Sequence, residues 1–175
     1  MRKRQNGKII RHINMTPEHP NIMADGDADP RPLHRYQFRV VYADTDAGGV
    51  VYHARYLDIA ERARAEMMLD LDLGAYLPNA DAHKQDAHNQ GQSNFLVVRR
   101  IDIDYLKPAR LYDLVTITSY VNKLGGSSLD LRQEISANGH LLARANIILV
   151  WIDGQFRPQR LPQHVRDVLL NAATG

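Results

Sequence analysis

Two carboxylates, a double glycine and a histidine fall within ten positions, Asp44-Thr-Asp46-Ala-Gly48-Gly49-Val50-Val-Tyr52-His53. Carboxylates and imidazoles are side chains that move protons or attack carbonyl carbons near neutral pH. Gly48 and Gly49 permit backbone conformations closed to other residues and let a substrate approach the main chain. A helix beginning at His53 or Ala54 would present unpaired N–H groups and the positive end of its dipole. Such a helix start favours a carbonyl oxygen that becomes an oxyanion, as in acyl transfer. Aspartate also favours turns and helix caps, and histidine can cap or pack. Spacing alone therefore leaves structural and chemical roles open for Asp44, Asp46 and His53.

The elements that must position these groups follow from periodicity. Tyr36, Phe38, Val40 and Tyr42 alternate with Gln37, Arg39 and Val41, the pattern of a half-buried strand. From about Ala54 to Asp70, Tyr56, Ile59, Ala60, Ala63 and Met67 recur three and four apart, which predicts one long amphipathic helix. On its outer face Asp58–Arg62 and Arg62–Glu66 can pair at i, i+4, and Glu61 and Arg64 read as structural at this spacing. Residues 71–94 form a long polar connection of the kind often used as a lid.

Four strands are expected after it: Phe95 to Tyr105, Leu114 to Lys123, Ser128 to Ser136 and Leu141 to Ile152. Asn138-Gly139 is a strong hairpin signal between the last two. Hairpin-linked strands after a single helix imply an antiparallel sheet in an α+β domain. The last strand is apolar on both faces, which one helix cannot cover, so self-association is expected. Pro162 to Leu170 predicts a short terminal helix.

With 175 residues, 44% hydrophobic and 24% charged, the chain is long enough and apolar enough for one globular domain, placed at 34–175. Residues 1–33 lack periodicity and carry Pro17, Pro20, Pro30 and Pro32, which predicts a disordered extension. Arg2, Lys3, Arg4, Lys8 and Arg11 concentrate the basic excess there, and no basic stripe crosses the body, so no nucleic-acid partner is expected. Cysteine is absent, which removes thiolate chemistry. Neither an apolar run of about 18 residues nor a secretory core is present, so no stable membrane insertion is expected and the assigned compartment is the cytoplasm.

The run Tyr42-Ala-Asp44-Thr-Asp46-Ala-Gly-Gly49-Val-Val-Tyr52-His53-Ala-Arg-Tyr56, followed by Glu61-Arg-Ala-Arg64, resembles the signature of the hotdog-fold acyl-CoA thioesterases. Within them it is most similar to the tol-pal-associated branch of the 4-hydroxybenzoyl-CoA thioesterase family. The resemblance continues through Val97-Val98-Arg99, Asp104-Tyr105-Leu106-Lys107-Pro108-Ala109, Lys123-Leu124-Gly125 and Arg160-Leu161-Pro162, covering nearly everything from Tyr36 to about Leu170.

The resemblance implies a five-stranded antiparallel sheet wrapped around one long central helix, with subunits joined sheet edge to sheet edge as a homodimer or homotetramer. It implies hydrolysis of short-chain or aromatic acyl-CoA to free acid and CoA, without metal or cofactor, coenzyme A being part of the substrate. Carried onto this chain, Asp46 becomes nucleophile or general base. His53 assists, and its backbone N–H polarises the thioester carbonyl. Gly49, Val50, Tyr52 and Tyr56 fall at the substrate, with the two tyrosines shaping the acyl pocket, and Asp44 is structural. Lys123, Ser127 and Ser128 fall at the hairpin expected to meet coenzyme A. The alternative is a non-catalytic dimer that holds acyl-CoA, an acyl-carrier protein or an envelope-assembly enzyme. The 71–94 connection is longer and more polar than the family's and carries His83 and His88, so altered access to the acyl pocket is expected.

Overall fold

A short strand, β1 (His34–Arg39), is the first element, and the computed structural model describes residues 31–74 and 94–174. Its burial alternates as expected, with Tyr36 and Phe38 turned inward, and Val40 continues the inner row. Tyr42 departs from the expectation: it is 83% exposed, because the chain leaves the ladder after Arg39 and turns through a 3-10 segment at Tyr42–Asp44. The cause is local, since the Asp44 carboxylate accepts the Val41 N–H at 2.8 Å and draws the backbone out of strand geometry. Leu33, assigned from sequence to the extension, is already buried and donates its N–H to Ser119. The expectations for residues 1–30 and for 75–93, with His83 and His88, lie outside the described residues.

Helix α1 (Arg55–Asp70) buries Tyr56, Ile59, Ala60, Ala63 and Met67, the stripe its spacing predicts. Ala60 and Ala63, with almost no side chain, let the sheet come close to the helix axis. Asp58 pairs with Arg55 at 2.9 Å and not with Arg62 as expected. The helix ends with Asp72 in the left-handed region (φ 57°). There Leu73 N–H reaches Met68 C=O and Asp72 N–H reaches Leu69 C=O. These two bonds satisfy carbonyls that a helix end leaves open, and Leu73 packs into the core behind them.

Four long strands follow: β2 (Phe95–Tyr105), β3 (Leu114–Leu124), β4 (Ser128–Ala137) and β5 (His140–Ile152). With β1 they form one antiparallel sheet in the order β1-β3-β4-β5-β2. Asn138 (φ 52°) and Gly139 (φ 75°) make the tight turn between β4 and β5. A second helix, α2 (Gln163–Thr174), begins within the predicted stretch and runs beyond it. No helix among the described residues is long and apolar enough to cross a membrane.

The inner face of the sheet carries two apolar clusters. One joins the first half of α1 (Tyr56, Ile59, Ala63) to Val40, Ile117 and Ile135. The other joins its second half (Met67) to Trp151, Leu161, Val165 and Leu169, so α2 seals the far end. The outer face of β5 is not apolar throughout. Arg144 and Asn146 are exposed there, while Val150 and Ile152 are 8% and 4% exposed within a single chain, and Ile152 pairs with Pro158 of the returning segment. The chain itself therefore covers the Val150–Ile152 end of that outer row, while Ile148 stays half-buried.

Between helix and sheet lies a buried polar cluster. Arg64 donates to Gln133 at 2.9 Å and pairs with Glu61, while the Gln133 amide donates to Ser119 Oγ and to Ala60 C=O. Arg64, Gln133 and Ser119 are buried while Glu61 is exposed, so removing one of the buried three strands its partners without water. Gln133→Leu is expected to destabilise the fold by about 2 kcal/mol, and adding Arg64→Met should restore part of that loss. Urea unfolding of the two single variants and the double variant measures the coupling; purely additive losses would contradict it.

Candidate active site

The strand-to-helix hand-over is built around the two aspartates, which the structure separates completely. Asp44 is 1% exposed. Its Oδ2 accepts from Val41 N–H, its Oδ1 accepts from Arg55 Nε at 2.6 Å, and its carbonyl accepts Tyr52 N–H at 3.0 Å. Asp44 first, and Asp58 second, hold the Arg55 guanidinium more firmly protonated than usual. Every polar atom of Asp44 is thus engaged, with backbone groups and the Arg55 side chain, which is the structural role expected of it.

Asp46 stands two residues on, in the open. Its N–H donates to Val50 C=O, its C=O accepts Gly49 N–H, and Oδ1 accepts Gly48 N–H at 2.8 Å. Gly49 sits at φ 71°, so the loop has a left-handed residue that favours glycine. A Cβ at Gly48 would meet Asp46 Oδ1 at 3.0 Å, so the missing side chain leaves room for the carboxylate. One oxygen is anchored; Oδ2 is free among the described hydrogen bonds.

The loop is flanked on both sides. Thr45 pairs with Val51, and Val50 pairs with Arg110 while Val51 N–H reaches Ala109 C=O, so the segment after β2 forms a third rung. Ala109 N–H in turn donates to the Tyr56 hydroxyl at 2.8 Å. Burial is the main reason the Tyr56 phenol is pushed above its ordinary value, with the Ala109 bond opposing it.

From Tyr52 the chain enters the helix. Arg55 N–H closes the first turn on Tyr52 C=O, and no side chain among the described residues caps the helix at Ala54. Serine, threonine or aspartate at such a position would add about 1 kcal/mol of stability. Here the N–H groups of His53 and Ala54 meet no acceptor among the described residues. The exposed rings of Tyr52 and His53 lie 4.3 Å apart.

Asp46, Gly49, Tyr52 and His53 are thus exposed on the hairpin and the helix start it leads into, with Val50 half-buried and Tyr56 buried. Lys123, Ser127 and Ser128 do not join them. Leu114 at the start of β3 pairs with Arg39, next to the site, while Lys123 lies at the opposite end of the strand, roughly 30 Å away at 3.3 Å per residue. Within one chain the hairpin and the aspartate sit at opposite ends of the sheet.

Tyr105 was missed as a site residue. Its hydroxyl donates to the His53 carbonyl at 2.9 Å, its ring meets His53 edge-on at 6.4 Å and Tyr56 at 5.4 Å, and it remains 45% exposed. Partial burial also raises its phenol above the ordinary value. Among the described residues no three His, Cys, Asp or Glu side chains gather as metal ligands.

Residues 40–169 match the Thioesterase-like superfamily. Over 135 residues the chain is 36% identical to the acyl-CoA thioester hydrolase YbgC of Escherichia coli, a match spanning 76% of this chain and 92% of that protein. It is 39% identical over 106 residues to the long-chain acyl-CoA thioesterase FadM of Escherichia coli, spanning 59% and 70%. A thioesterase of Thermus thermophilus, solved as a complex with coenzyme A and Zn, superposes with a TM-score of 0.66 at 28% identity, covering 82% of this chain and 96% of that one.

The division of labour between the aspartates is testable through stability alone. Asp44→Asn sets an amide donor against either Val41 N–H or Arg55 and should cost about 2 kcal/mol. In thermal and urea unfolding, Asp46→Asn should stay within about 0.5 kcal/mol of wild type. Equal losses in the two variants would contradict the assignment.

Proposed function

This chain belongs to the Thioesterase-like superfamily and hydrolyses acyl-CoA thioesters, and we propose that Asp46 is its working carboxylate and that a second copy of the chain completes the site. The observation that carries this reading is an exposed carboxylate, with one oxygen anchored and one free among the described residues, on a hairpin leading directly into a helix start that no described side chain caps. That pairing of groups is what thioester hydrolysis needs.

The thioester carbonyl oxygen accepts from the N–H groups of His53 and Ala54, where negative charge grows as the carbon becomes tetrahedral. Asp46 Oδ2 then either removes a proton from the attacking water or attacks the carbonyl carbon itself, forming an acyl anhydride that water opens. In both routes the C–S bond breaks, the CoA thiolate departs and takes up a proton, and the free acid remains. The exposed His53 imidazole assists from the same helix start. No metal or organic cofactor enters the scheme.

The second copy is proposed from the sheet. Strand β2 is an edge of 11 residues with no partner on its outer side among the described residues. Long unpaired edges are templates for pairing. An antiparallel pairing centred on Ile101 would set Arg100 of one copy opposite Asp102 of the other, a favourable cross-strand charge pair. The same two-fold turns the partner's far end, with Lys123, Ser127 and Ser128, toward the end that carries Asp46. Ammonium and hydroxyl groups on a glycine-rich turn suit the phosphates of coenzyme A. A homodimer, or a homotetramer of such dimers, would therefore bring together residues that one chain holds apart. An acyl-carrier protein would present the same thioester to this groove.

Turnover of a panel of short-chain, aromatic and long-chain acyl-CoA esters tests the reading, with the first two classes expected to be preferred. Asp46→Asn should lower kcat by at least about 10²-fold on every active ester. His53→Ala should lower it by a smaller factor, since the backbone N–H remains. Wild-type rates in Asp46→Asn would refute the assignment, and binding without turnover in the wild type would favour a holding role.

Mixing tests the shared site. Asp46→Asn and Lys123→Glu chains, each impaired alone at limiting substrate, should recover about a quarter of the wild-type rate when co-refolded, because half the dimers are mixed and each has one intact site. No recovery would contradict a site built from two chains.

A further inference from the structure

Tyr105 lies at the last position of β2, where the edge strand meets the start of α1. It makes three contacts there, and two of them converge on one residue, His53. The hydroxyl bond goes to the His53 carbonyl, and that carbonyl belongs to the same peptide group as the Ala54 N–H. Accepting a hydrogen bond at a peptide oxygen draws electrons from nitrogen and makes the N–H a stronger donor. Arg55 N–H does the same for the preceding peptide, because it binds Tyr52 C=O at 2.8 Å and so polarises the His53 N–H. Both free donors at the helix start are thus strengthened from behind.

We propose that Tyr105 is a positioning residue for thioester hydrolysis, its hydroxyl fixing and polarising the His53–Ala54 peptide and its ring setting the His53 imidazole. The proposal rests on the reading of Asp46 and the helix start as the hydrolytic site. It gives Tyr105 no direct contact with substrate. Its burial-raised phenol keeps the proton it donates throughout the neutral range. Because Tyr105 sits on the strand whose free edge is proposed as the dimer seam, the same residue ties the seam to the helix start.

The test is Tyr105→Phe, which removes one oxygen and keeps the ring. The expected result is a fall in kcat of about 10-fold, less than the loss of a direct oxyanion donor, with KM within about twofold. Thermal midpoint and native mass should match wild type. In isotope-labelled protein the carbonyl carbon of His53 and the amide nitrogen of Ala54 should shift, while residues in α2 should not. Tyr105→Leu, which also removes the ring, should lower kcat further. If Asp46→Asn abolishes turnover while Tyr105→Phe keeps the full kcat, the positioning role is overturned and the site stands. A parallel fall in kcat and thermal midpoint, without the His53 and Ala54 shifts, would reduce Tyr105 to a structural role. If Asp46→Asn keeps wild-type turnover, the underlying reading fails instead.

Discussion

A carboxylate with no access to water ties three pieces of backbone together at the mouth of this fold. Asp44 takes the Val41 N–H from the end of β1, the Arg55 guanidinium from the first turn of α1, and, through its carbonyl, the Tyr52 N–H between them. Removing charge from water is costly unless it is fully paired, and here both oxygens are engaged. The constraint fixes where β1 ends, how the hairpin rises from it, and where the helix begins. Asp46 is exposed and weakly held by itself. Its position follows from that of its fully bonded neighbour two residues earlier.

The rest of the architecture keeps that corner still. The apolar stripe of α1 is pressed on the inner face of the sheet along its whole length, and α2 closes the end remote from the site. Each fully buried large aliphatic side chain contributes about 1.5–3 kcal/mol, so most of the stability lies away from the chemistry. The hand-over can then leave a helix start without a side-chain cap, and one carboxylate oxygen without a partner, among the described residues. Membership of the Thioesterase-like superfamily and the hotdog arrangement of the sheet agree with this division between scaffold and mouth.

Much of this was legible in the residue pattern, and the exceptions have physical causes. The α1 stripe and the Asn138-Gly139 turn follow from periods and backbone preferences that act within a few residues. Tyr42 was misplaced because the pull of Asp44 on Val41 overrides a perfect alternation. Tyr105 was overlooked for a comparable reason. A register shift between Val98 and Arg100 changes the phase of β2, so Leu96 and Val98 share the inner face with Ile101, Ile103 and Tyr105. Even spacing would have turned one of those two groups outward. The apolar outer row of β5 suggested a partner, yet the chain's own return past Pro158 covers part of it. The distance between the Lys123 hairpin and Asp46 could not be foreseen either, since it depends on strand order.

The most direct measurement is a structure of the protein with an acyl-CoA analogue in which a methylene separates the carbonyl from sulfur and prevents cleavage. The ketone oxygen should lie about 3 Å from the N–H of His53 or Ala54. Asp46 Oδ2 should face the carbonyl carbon directly or through one water, and the coenzyme should run toward the Lys123 hairpin of a second chain. An analogue carbonyl bound elsewhere, with Asp46 turned to bulk water, would contradict the account.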